Sequence, residues 1–110
     1  MTKQKDTPST PQVISWKSET PPSQDELRRI MTDEGLFPYA WSNNPFDIYP
    51  AHTHNYDKVI YVVSGSITFG LPALNRNLTL FPGDRLDLPK GIAHDALVGK
   101  DGVVCLEGHH

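Results

Sequence analysis

The sequence predicts an all-β domain preceded by one short helix. Two observations carry this expectation. From Phe37 onward, short apolar segments alternate with turn-forming clusters, the pattern of a β-sandwich or barrel. Before that point a single stretch, residues 23–34, repeats its apolar residues at helical spacing. With 110 residues, the chain has the length of one domain.

The elements follow in order. Residues 1–22 place Pro8, Pro11, Pro21 and Pro22 among Ser, Thr, Lys and Gln. Such a segment buries too little apolar surface to offset its ordering entropy, so a flexible arm is expected. Within it, Val13-Ile14-Ser15-Trp16 could add an edge strand. The domain proper is expected over residues 23–110. Ser23 is a natural N-cap, with Glu26 at capping-box spacing. Leu27, Ile30 and Met31 then share a face, and Gly35 suits the position just past the helix end. Arg28 and Arg29 read as the solvated side.

The β-rich region is expected from about residue 37 to 107. Its apolar segments are Pro38 to Trp41, Lys58 to Val63, Ile67 to Phe69, Leu78 to Phe81, Leu86 to Leu88, Ala96 to Val98 and Val103 to Leu106. Between them lie the breakers Asn43-Asn44-Pro45, Ser64-Gly65-Ser66, Pro82-Gly83-Asp84, Pro89-Lys90-Gly91 and Gly99-Lys100-Asp101-Gly102. A sheet this small leaves edges open, which a second copy could cover, so a homodimer is expected.

Composition removes several function classes. Ten Lys and Arg against thirteen Asp and Glu give a net charge of −3, which argues against nucleic acid as a partner. No apolar run approaches the ~20 residues of a membrane helix, and the start, MTKQKDTPST, lacks the apolar core of a secretory signal. Cys105 is the one cysteine, so no internal disulfide can form. These features together predict a cytoplasmic protein. Cys105 itself reads as a small buried hydrophobe.

Chemistry concentrates in histidine. Of five, His109 and His110 are terminal and could be native or the remains of a tag. His52 and His54 flank Thr53, and on a strand residues i and i+2 point to one face. His94 follows the turn Pro89-Lys90-Gly91 and could bring a third imidazole from a neighbouring strand. Three His with open positions make a site for Fe, Zn, Mn or Ni that also admits water or substrate. The plain alternative is two exposed polar residues on a strand and an unrelated loop histidine.

Two segments resemble the paired motifs of the cupin superfamily. His52-Thr-His54-Asn-Tyr-Asp-Lys-Val-Ile-Tyr-Val-Val-Ser-Gly65 resembles G(X)5HXH(X)3–4E(X)6G in both His and the closing Gly. Gly83-Asp-Arg-Leu-Asp-Leu-Pro89-Lys-Gly91-Ile-Ala-His94 resembles G(X)5PXG(X)2H(X)3N in both Gly, the Pro and the His. The resemblance implies a small single-domain RmlC-like cupin: a double-stranded β-helix, or jelly-roll barrel, with a metal near its middle. Ligand positions then fall on His52, His54 and His94. Phe46 stands where the first motif opens with Gly and Val98 where the second ends with Asn; both read as packing changes of little cost to the fold. Lys58 stands at the motif's Glu.

That last departure alters the chemistry, because an ammonium adds to an ion's charge where a carboxylate would offset it. The site could be a three-His centre with Lys58 turned away. Asp57 could replace the missing ligand if a bulge turned it inward. Alternatively, a metal-free pocket could use Lys58 to hold an anion. His52, His54, Lys58, Ile60 and Val62 share strand parity, although a turn near Asn55 could break it. Tyr56 and Tyr61 are further candidates for the pocket. The resulting expectation is a divalent-metal-binding barrel acting on, or binding, a small molecule. The resemblance allows dioxygenase, isomerase and lyase classes; the alternative is a sensor or storage barrel without catalysis. The region from Pro50 to Phe69 also resembles the ligand-binding arm of AraC-type regulators, but no helix-turn-helix accompanies it.

Overall fold

A computed structural model describes residues 9–110. Seven strands and one helix follow in the order β1 (Gln12–Ile14), α1 (Gln24–Asp33), β2 (Tyr39–Asn43), β3 (Ile48–His52), β4 (Lys58–Leu71), β5 (Arg76–Leu80), β6 (Arg85–Leu88) and β7 (His94–His109), with a 3-10 turn at Pro72–Leu74. Every strand pairing is antiparallel. The path β1-β6-β4-β7-β2 is flanked by β5 on β4 and β3 on β7. No helix among the described residues is long and apolar enough to cross a membrane.

The two longest strands organise the rest. β4 and β7 pair from Lys58↔His109 to Gly70↔Asp95, with register shifts between Val62 and Ser64 and between Gly65 and Ile67. The sequence expectation of separate short strands on either side of Ser64-Gly65-Ser66 and of Gly99 to Gly102 is corrected here. Both breakers lie inside continuous strands, as bulges that bend them. Gly65 and Gly102 take left-handed φ of 75° and 76°. A Cβ on Gly65 would sit 2.0 Å from the Gly102 carbonyl oxygen, so the crossing needs glycine both for conformation and for room.

The bulges also switch which residues face inward. On β4, Ile60 and Val62 enter the barrel core before the bulge, and Ile67, Phe69 and Leu71 after it. On β7, Ala96 and Val98 enter the core, then Val103 and Cys105. Leu80, Leu86 and Leu88 complete that core. Val59, Tyr61 and Leu106 face the other way and form a second cluster with Leu27, Met31 and Leu36. Each of these large side chains stabilises the fold by roughly 1.5–3 kcal/mol when fully buried.

Helix α1 caps as its sequence predicts. Ser23 Oγ accepts the Glu26 N–H at 3.1 Å. At the other end Gly35 takes φ 83° and its N–H donates to Thr32 O at 2.9 Å. The described part of the expected flexible arm, residues 9–22, lies along the barrel instead. Gln12–Ile14 pairs with β6, the Trp16 N–H donates to Asp84 Oδ1 at 3.0 Å, and Pro22 is buried. The edge strand expected within Val13 to Trp16 is thus present as β1, one residue earlier. Residues 1–8 of that expectation fall outside the described residues.

Phe46 departs from the expected mild packing change. It holds φ 64°, the left-handed region that costs an L-residue roughly 1–2 kcal/mol, and its ring is 65% exposed. The backbone keeps the conformation for which the motif carries glycine, while the residue does not.

Candidate metal centre

His52, His54 and His94 meet at one end of the barrel, one ligand nitrogen from each lying within 4.8 Å of the others. Ring centroids are 4.8 Å apart for His52 and His54, 4.3 Å for His52 and His94, and 5.2 Å for His54 and His94. The strand pleat is not what brings the first two together. His52 is the last residue of β3, paired opposite His94, and His54 lies in the loop beyond. That loop is pinned to the Pro89-Lys90-Gly91 turn: the Gly91 N–H donates to His54 O at 2.8 Å and the Lys90 N–H to Asp57 Oδ1 at 2.8 Å. One turn therefore sets His54 and leads into His94.

The ring protons can be placed from the partners. Carbonyl oxygens only accept, so Nδ1–H of His52 donates to Pro50 O at 2.8 Å and Nδ1–H of His94 to Ile92 O at 2.9 Å. An ammonium only donates, so His54 Nε2 accepts from Lys58 Nζ at 3.3 Å. In the neutral ring, each of these arrangements leaves the lone pair on Nε2. Backbone carbonyls behind Nδ1 orient two of them, as is usual for metal-binding histidines. His94 is 2% exposed, and its Nε2 has no hydrogen-bond partner among the described residues. A buried acceptor left without a donor costs about 1–3 kcal/mol. Burial lowers the His94 imidazole to about 4, against the opposing bond to Ile92, with His52 and Lys58 nearby adding to the fall. Burial and the Lys58 charge likewise lower His54. His54 and His94 are thus held neutral, the form that ligates a metal.

Lys58 faces inward, its side chain 10% exposed, and its Nζ also lies 3.3 Å from Glu107 Oε2. Glu107 was not among the residues the sequence singled out. It comes from β7, 4% exposed, and takes the Tyr39 hydroxyl at 2.6 Å, the Trp41 Nε1–H at 3.1 Å and His109 Nε2 at 2.7 Å. Burial pushes its carboxyl up, but the bonds from Tyr39 and His109 and the Lys58 charge outweigh it and hold it below the ordinary range. Burial and Glu107 in turn push the Tyr39 phenol up, so it keeps its proton. His109 belongs to this network and to the end of β7, its ring 4.0 Å from that of Tyr56. A Glu directly after the apolar run Val103 to Leu106 was the available signal.

Two pocket candidates are corrected. Tyr61 lies on the opposite face of β4, packed in the α1 cluster with its hydroxyl accepting from Arg85 Nη1 at 3.1 Å; its odd position on the strand already separates it from Lys58 and Ile60. Asp57 does not line the cavity, because its carboxylate holds the Lys90 N–H. Tyr56 and Lys58 do line it. Cys105 is fully buried, and burial pushes its thiol up, which makes it an inert core residue.

The cavity these residues enclose has a volume of 330 Å³, with Trp41, Tyr49 and Phe69 among its walls. Ile60, Ile67 and Ala96 add apolar surface beside its polar groups.

This arrangement, an antiparallel jelly roll with a histidine cluster and an inward pocket, is the cupin fold. Solved structures agree. An RmlC-like cupin from Shewanella frigidimarina matches with a TM-score of 0.58 at 20% identity, over 67% of this chain and 64% of its own. A cupin-2 domain protein from the same organism matches at 0.56 and 18% identity, over 90% of this chain and 78% of its own. The polyketide cyclase RemF from Streptomyces resistomycificus matches at 0.58 and 24% identity, over 71% of this chain and 58% of its own. The chain thus spans under two thirds of the first and third of these. No family model matches the sequence, and neither does any curated protein.

Proposed function

We propose that the chain binds one divalent transition metal, Fe, Zn, Mn or Ni, through Nε2 of His52, His54 and His94, and acts on a small molecule held in the adjoining cavity. The observation that carries this reading is His94 Nε2: buried, bearing a lone pair, grouped with two further imidazoles and without a donor among the described residues. The residues fit a three-His centre. Lys58 lies at hydrogen-bond distance from His54 and pairs with Glu107, so it can give up His54 Nε2 and remain paired.

A bound divalent ion supplies Lewis acidity to an oxygen of the ligand. The chain's own residues then sort by role. Tyr39 keeps its proton and donates it to Glu107, so towards a ligand its hydroxyl oxygen can accept. Glu107, ionised and already accepting four bonds, is a weak base; it holds Lys58 and Tyr39 in place. Enzymes of the lyase, isomerase or dioxygenase classes would suit such a centre, and the polyketide cyclase is one enzyme on this fold.

A second reading has its own observation. The Lys58–His54 contact places a cation where a metal ligand would be, which favours a metal-free barrel that binds or stores a small molecule.

Elemental analysis of protein purified without chelator or nickel resin separates the two. About one transition metal per chain, lost in His54→Ala with the fold retained, is the expected result. Metal content equal to wild type in His54→Ala, or no uptake after incubation with Fe²⁺, Zn²⁺ and Mn²⁺, would overturn the metal reading.

A further inference from the structure

We infer that the cavity takes a planar anion, an aromatic or conjugated carboxylate or enolate, held by Lys58 and by the centre at the three histidines. The inference deepens the metal reading and rests on it for the net positive charge; Lys58, whose own charge Glu107 offsets, supplies N–H donors without it.

Charge is the first argument. Three neutral imidazoles bring no negative charge to an ion. Position 58, where the motif carries a carboxylate, carries an ammonium. Glu107 is the one acidic side chain among the described residues lining the cavity. Its oxygens are taken by Tyr39, Trp41, His109 and Lys58. Its charge is offset by Lys58 and it is not one of the grouped ligand residues, so three neutral imidazoles would leave a bound ion's double charge uncompensated among buried walls. Uncompensated charge in such surroundings is costly, and a ligand that brings negative oxygens removes the cost.

Shape is the second. The walls are Tyr39, Trp41, Tyr49, Tyr56 and Phe69, with Trp41 and Tyr49 meeting edge to face at 6.3 Å. Flat apolar surfaces of this kind select a flat ligand. A volume of 330 Å³ lies at the small end of ligand pockets, which span about 300–1,000 Å³, so a single ring with its substituents is the expected size. Lys58 Nζ spends one N–H on Glu107 Oε2 and keeps others that a carboxylate can engage.

The test compares salicylate with salicylamide, its uncharged analogue. Zn²⁺-loaded protein, its metal counted by elemental analysis, is titrated calorimetrically with each. Salicylate is expected to bind at least about tenfold more tightly. Lys58→Met should cost salicylate about tenfold and leave salicylamide within about twofold. Co²⁺-loaded protein should change its visible spectrum when salicylate enters. Equal affinities, or no salicylate binding to loaded protein, would overturn the inference. If the protein takes up no metal, the metal reading alone has failed. The same pair is then titrated into metal-free protein, where a salicylate preference abolished by Lys58→Met upholds the anion site and no preference overturns it. Should Lys58→Met not fold, the wild-type comparison decides.

Discussion

Lys58 and Glu107 face each other on adjacent strands inside the barrel, Nζ to Oε2 at 3.3 Å. The carboxylate that the cupin motif places at position 58 is absent there, yet a buried carboxylate is present next door with the lysine as its counter-ion. The pair ties the ionisable groups of the cavity into one network, so exchanging either charge should have effects that depend on metal.

Lys58→Glu sets a second carboxylate beside Glu107. Without metal the repulsion should lower stability by about 1–3 kcal/mol. With Zn²⁺ the new carboxylate becomes a fourth ligand, so the variant should gain more in Tm from metal than wild type does. Thermal melts with and without Zn²⁺ check this. An identical metal-induced shift in both proteins would show that residue 58 does not reach the centre.

The His94 imidazole supplies a pH signature. In the folded protein it protonates at about 4, against an ordinary value of 6.5. Above 6.5 both states are neutral at this residue and its contribution is complete. Between 6.5 and 4 the unfolded chain binds a proton that the native state refuses, so stability falls as pH falls, by up to about 1.4 kcal/mol per pH unit. His54, lowered as well, acts in the same direction. Urea unfolding of metal-free protein at pH 7 and pH 5 should show the decline, and His94→Gln should show a smaller one. Equal declines would remove His94 as the source.

Phe46 should be replaceable at a profit. Phe46→Gly relieves the left-handed strain at φ 64° and loses little burial, the ring being mostly exposed. Set against the greater freedom of glycine in the unfolded chain, the net gain is about 0.5 kcal/mol, a Tm rise of about 2–4 °C. Phe46→Ala keeps the strain and should show no rise. A matching rise in Ala would assign the effect to the ring instead.

Arg85 holds α1 to the barrel. Its guanidinium bonds Glu34 at the helix end and Asp87 on its own strand, each through Nη2 at 3.0 Å, and lies over the Tyr61 ring. Burial works against its charge, but Glu34, Asp87 and Tyr61 outweigh it and raise its proton affinity. Arg85→Met leaves the two carboxylates facing each other and should cost about 3 kcal/mol. Hydrogen exchange over residues 24–33 should accelerate more than exchange in β4. Uniform acceleration would mean that the pair stabilises the whole barrel and not the helix dock.

Much of this was legible in the chain. Spacing picked out His52 and His54, and the resemblance to two cupin motifs in register joined His94 to them. The cap at Ser23 and the helix end at Gly35 are local hydrogen-bond chemistry, which needs no distant partner to be read. The even positions Lys58, Ile60 and Val62 face inward as strand parity requires, and the same rule sends Tyr61 outward to α1.

The sequence by itself determined the barrel class, the helix and the three histidines, since period, turn chemistry and motif spacing are properties of neighbouring residues. The tertiary structure alone decided that Gly65 and Gly102 bend strands without ending them, and that Glu107 completes the cavity. Those outcomes depend on contacts between residues tens of positions apart: one glycine's missing Cβ against another's carbonyl, one strand's lysine against another's carboxylate. Local pattern carries no record of such pairs, because only the folding of β7 along β4 brings them within reach.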